Sequence, residues 1–107
     1  MIITDKDVET AIHYLAQTDK EHGQLSGMVK AFEHKKHVIR SQEFLDANGT
    51  MAEKEAYAYA SQAYKNWIEE YRDAVMSREI IGAKRKRAEL TIEVWRTEAA
   101  NRRQGSM

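Results

Sequence analysis

Apolar residues recur at alternating steps of three and four along two long stretches, with one strong turn signal between them. In the first stretch the seam reads Ala11, Leu15, Thr18, His22, Leu25, Val29, Phe32, Lys36 and Ile39, flanked by Val8 and Ile12. In the second it reads Tyr57, Ala60, Tyr64, Trp67, Tyr71, Ala74, Arg78, Ile81, Arg85, Ala88, Ile92, Trp95 and Ala99. Such spacing keeps side chains on one helical face and suits packing against another helix at a shallow angle. The pattern predicts an all-α, coiled-coil-like antiparallel hairpin: a first helix over about residues 5–45 and a second over about 51–103, in a single domain of residues 1–107.

The predicted helix ends carry their own signals. Thr4 is a candidate N-cap whose hydroxyl accepts an orphan backbone N–H. Asp5, Asp7 and Glu9 place negative charge at the positive end of the dipole, and Ile3 and Val8 occupy the staple positions. Asp46-Ala47-Asn48-Gly49-Thr50 reads as a helix stop, because Asn-Gly supplies left-handed backbone. Thr50-Met51-Ala52-Glu53 is a capping box that starts the next helix. A short connection makes the two long helices antiparallel. The segment 51–103 has no Pro and one Gly, Gly82. Arg102 and Arg103, with Gly105 at the C′ position, are the expected stop. Gly23 and Gly27 each cost about 1 kcal/mol relative to Ala inside a helix. They are the candidate points for a kink or break in the first helix, which would give a compact three-helix monomer.

A turn centred near Asn48 sets a register in which facing residue numbers add to roughly 96 or 97. Asp19 then faces Arg78 as a candidate ion pair. The first helix ends opposite residue 91 or 92, so Ile92, Val94, Trp95 and the residues up to Arg103 project beyond it. Ile68 and Val75 widen the apolar face between Tyr57 and Val75. Ala52, Ala56, Ala60 and Ala63 offer a close approach to a neighbouring helix. One partner helix cannot cover that face, so self-association is expected, most simply a homodimer that forms a four-helix bundle.

Composition narrows the chemistry. Charged residues make up 32% and the formal net charge is zero, which excludes a uniformly basic nucleic-acid coat. There is no cysteine, hence no disulfide, thiolate metal site or Cys nucleophile. Met1-Ile2-Ile3-Thr4-Asp5 lacks the basic and apolar regions of a signal peptide, and no apolar run approaches a membrane span, so a cytoplasmic location without membrane contact is expected. His34 and His37 share a helix face but sit among Lys35 and Lys36 with no further ligand expected across from them. Asp19 and His22, with Glu69, Glu70 and Asp73 on the other helix, lack the repeated Glu-x-x-His of a di-iron bundle. Ser26, Ser41, Ser61 and Ser77 have no nucleophile-elbow context. There is no glycine-rich phosphate loop, and two helices do not form the cleft that a paired-carboxylate hydrolase needs. No catalytic residue, metal or cofactor is expected, and the chain reads as a non-enzyme.

Charge is polarised along the chain. From Lys84 to Arg103 there are seven basic and three acidic residues, whereas the stretches 1–46 and 47–83 each carry a net charge of −2. Lys84, Arg85, Lys86 and Arg87 form the sharpest cluster, and together with Arg96, Arg102, Arg103 and an exposed Trp95 they suit phosphate contact and base stacking. Four consecutive helical residues point four ways, however, and cations near a helix C-terminus stabilise it regardless. The same segment also fits a protein-docking surface: Ile92, Val94 and Trp95, rimmed by Arg96, Arg102 and Arg103, have the composition of an interface anchor.

The stretch Arg87-Ala88-Glu89-Leu90-Thr91-Ile92-Glu93-Val94-Trp95-Arg96-Thr97-Glu98-Ala99-Ala100-Asn101-Arg102-Arg103-Gln104-Gly105 resembles the C-terminal end of small helical proteins from the early regions of tailed bacteriophages. The Tyr/Ala-patterned Met51–Ile81 segment is similar in style. The resemblance covers the second helix and implies a phage protein, expressed in the host cytoplasm, that accompanies DNA recombination or replication. It carries over no catalytic residue. The leading expectation is an accessory protein that acts by protein–protein binding to a phage or host protein. The alternatives are a direct DNA-binding protein and an inhibitor of a host nuclease or defence complex.

Overall fold

The computed structural model describes residues 2–105, so the two ends of the expected 1–107 domain, and Met1 of the leader reading, lie outside the described residues. The described residues form three α-helices and no strand: α1 (Asp5–Asp46), α2 (Met51–Ala60) and α3 (Gln62–Gly105). The fold is an all-α helical hairpin, with α1 antiparallel to the chain that returns along it.

The first helix is continuous through Gly23 and Gly27, and at neither glycine would an added Cβ meet a heavy atom within 4 Å. Neither glycine therefore breaks the helix, and the compact three-helix alternative is absent. About forty residues of hydrogen bonding and side-chain contact outweigh a local cost of about 1 kcal/mol per glycine. At its start the backbone N–H of Asp7 donates to Thr4 Oγ1 at 3.1 Å, and the N–H of Thr4 donates to Asp7 Oδ2 at 2.9 Å. The two residues thus satisfy each other's orphan donors.

The turn reads as the sequence predicts, with Gly49 at φ 116° and the Thr50 hydroxyl accepting from the Glu53 N–H. The helix that follows is not continuous. At Ser61 the backbone becomes extended (φ −65°, ψ 152°) and divides the expected 51–103 helix into α2 and α3. Ser61 closes one helix and opens the next. Its N–H and its hydroxyl both donate to the Ala58 carbonyl, while Oγ accepts from the Tyr64 N–H and its own carbonyl accepts from Lys65. A serine oxygen at an N-cap competes well with continuation of the helix.

The break shifts the phase of the seam. Tyr57 and Ala60 are exposed, and Ala58 is fully buried in their place. Ala52 and Ala56 are exposed as well, and Ala63 is half-buried. From Tyr64 onward every predicted seam position of α3 is buried or half-buried, as is every one on α1. Ile12, expected to flank the seam, is 53% exposed. The C-terminal stop also moves, since Gly105 is still helical.

The residues Gln24–Arg78 form one compact unit. Its core is Val29, Ala47, Ala58, Trp67 and Ala74. The Trp67 indole N–H donates to the Phe32 carbonyl at 2.7 Å, which satisfies the ring's polar edge while its faces pack. Tyr59, Tyr64, Trp67 and Tyr71 form an aromatic ladder with centroids 5.2, 5.5 and 5.2 Å apart, and it ties α2 to α3 across the break. Lys36 lies 6.0 Å over the Trp67 ring, and Lys35 5.9 Å over Phe32.

The other unit joins Met1–Gly23 to Glu79–Met107. Val8, Ala11, Thr18 and Ala88 are its buried residues. Within it Asp19 meets Arg85 instead of the expected Arg78. The other contacts of this unit, Arg85 to Leu15, Trp95 to Asp5 and Glu98 to Ile3, join residues whose numbers add to 100 or 101, so the register lies about one helical turn beyond the expected 96 or 97 and the long Arg85 side chain spans the rest. The expected register assumes a tight hairpin at Asn48, whereas Arg40 meets Tyr59 and Phe32 meets Trp67, both pairs adding to 99, so the turn region takes up a few more residues than that.

Candidate functional site

The Lys84–Arg87 cluster does not act as one surface. Arg85 turns into the seam, where Nη1 donates to the Leu15 carbonyl and to Thr18 Oγ1, both at 2.8 Å, and Nη2 to Asp19 Oδ1 at 2.6 Å. Thr18 is buried, and its hydroxyl donates in turn to the Tyr14 carbonyl at 2.8 Å. A guanidinium can do this because its planar fork serves several acceptors at once. Lys84, Lys86 and Arg87 remain exposed. Lys84 and Arg87 border a groove of about 530 Å³ that is also lined by Ile3, Asp7, Ala11, Tyr14 and Ala88. The two hydrogen bonds from Thr4, backbone first and then side chain, hold the Asp7 carboxyl below its ordinary 3.8, so it stays ionised across that groove.

The expected projecting end is shorter than the sequence register implied. The Trp95 indole donates to Asp5 Oδ1 at 3.1 Å, and the Ile3 N–H donates to Glu98 Oε2 at 3.2 Å. Ile92 and Trp95 are half-buried in the seam, so two of the expected anchors serve the hairpin itself. Val94, Arg96, Arg102 and Arg103 stay exposed, and Arg96 borders a groove of about 320 Å³ with Glu89, Ile92 and Glu93.

Among the described residues no three His, Cys, Asp or Glu side chains converge as metal ligands. Asp19 is engaged by Arg85, and Glu70 and Asp73 border a groove with Leu25, Met28 and Phe32. His34 and His37 are exposed. Among the described residues no helix is long and apolar enough to cross a membrane. Sequence reasoning missed the Ser61 cap, the Asp19–Arg85 bond and the Asp5–Trp95 bond. The first was signalled by a serine ahead of a long helical run, and the other two depend on a register that a few residues of turn region decide. No family model matches the chain, and no curated protein or solved structure matches it either.

Proposed function

We propose that the chain is a non-enzymatic binding protein of a tailed bacteriophage. It works in the host cytoplasm, self-associates, and engages a phage or host protein during DNA recombination or replication. The phage setting rests on the resemblance of the Arg87–Gly105 stretch. The binding role rests on one observation. Arg85 is drawn into the seam, which interrupts the basic run, while large apolar side chains such as Ile80, Leu90 and Val94 stay about half exposed on the outer face of α3. A row of uncovered apolar side chains on a helix marks a protein contact, with a second copy or another protein, more than a phosphate contact. The partner-facing end is the exposed set Arg96, Arg102 and Arg103. The test is affinity capture from host lysate with and without nuclease: a protein retained at fixed stoichiometry after nuclease supports the reading. An assay of that partner with the chain added separates assistance from inhibition.

A second reading is favoured by Lys84 and Arg87, which have no side-chain partner among the described residues and border one groove. They offer a direct DNA contact. That contact would weaken steeply with salt, and a salt-insensitive or absent shift with single- and double-stranded DNA removes it.

A further inference from the structure

The outer face of α3 carries a second apolar row that the hairpin does not use. Ile80, Ala83, Arg87, Leu90, Val94 and Thr97 follow one another at steps of three and four, on the side of the helix away from the seam residues Ile81, Ala88 and Ile92. Ile80 is 51%, Leu90 50% and Val94 43% exposed. Ala83 is also exposed and leaves room for a neighbouring backbone. The Thr97 hydroxyl already donates to the Glu93 carbonyl at 3.2 Å, so it brings no unmet donor to this face.

We propose that this row is the contact for a second copy of the chain, with the two α3 helices antiparallel across a two-fold axis beside Ala88 and Glu89. The inference rests on the self-association within the reading above and specifies its surface. In a two-fold interface each contact occurs twice, so the face must be complementary to itself. When facing numbers add to about 177, Ala83 of one copy meets Val94 of the other, Ile80 meets Thr97, and Arg87 lays its stem on Leu90 with its head free to reach water. On the flank Lys86 of one copy meets Glu93 of the other, twice.

The neighbouring registers lack this match. A heptad shift one way sets Lys86 against Lys86 and Glu79 against Glu93. The opposite shift sets Glu93 against Glu93. Like charges placed directly opposite destabilise, so charge selects the single register.

Light scattering and sedimentation of the full chain test it. The wild type is expected at twice 12.4 kDa. K86E and E93K should each weaken the dimer roughly tenfold or more, because each change turns two attractive contacts into repulsive ones. The double variant K86E/E93K should restore it, and circular dichroism checks that each variant remains helical. A dimer indifferent to both single changes overturns this interface but leaves self-association standing. A wild-type monomer overturns both, and leaves partner capture from lysate as the separate measure of the binding role.

Discussion

Arg85 on α3 and Asp19 on α1 lie 66 residues apart in sequence and 2.6 Å apart in space, and their pairing joins the two helices in their unit. Arg85 is only 16% exposed at its side chain while Asp19 is 68% exposed. The arginine therefore matters more through its bonds to the Leu15 carbonyl and Thr18 than through the carboxylate. Arg85→Met should cost about 1–3 kcal/mol in urea unfolding, because it strands buried acceptors. Asp19→Asn should cost under about 1 kcal/mol, as for other exposed pairs. Equal losses would count against this division.

The three glycines differ in sign. Gly49 sits at φ 116°, where an added Cβ would also collide with the Glu53 carboxylate. Gly49→Ala should destabilise by about 1 kcal/mol or more. Gly23 and Gly27 lie in open helix interior, so Gly23→Ala and Gly27→Ala should each stabilise by up to about 1 kcal/mol. Thermal melts of the three variants decide this.

Ser61 caps both of its neighbours. Ser61→Ala should lower stability by roughly 0.5–2 kcal/mol despite the better helix propensity of alanine. A gain in stability would mean that α2 and α3 fuse readily and that the break is not held by the serine.

Asp7 gives the chain an acid sensitivity with a defined sign. Its carboxyl is held below 3.8 by Thr4, so its capping contribution is fully present above that value. It is lost as pH falls through the lowered value. An NMR titration should find the Asp7 carboxyl below 3.8, and Thr4→Ala should raise it only part of the way, because the residue-4 backbone N–H, the larger cause, remains. A wild-type carboxyl titrating at or above 3.8 would contradict the reciprocal cap.

Much of the architecture was legible from local rules. The Thr4 and Thr50 caps and the Asn48-Gly49 turn each depend on a few adjacent residues, and the α1 seam on simple periodicity. The register was not legible, because it depends on how much chain the turn region consumes. The error carried forward into the candidate site. With facing numbers near 96 or 97, Trp95 falls beyond the start of α1. With numbers near 100 or 101, Asp5 reaches Trp95 and Ile3 reaches Glu98. The division of Lys84–Arg87 was legible in principle from the seam position of Arg85, but the acceptors that hold it there are not.

The binding role is tested most directly by nuclease-treated affinity capture from host lysate, using the wild type beside the R96E/R103E variant. One protein should be retained by the wild type at fixed stoichiometry and lost by the variant, with helicity and dimer mass unchanged. Retention of nucleic acid alone, with no protein surviving nuclease, would contradict the account.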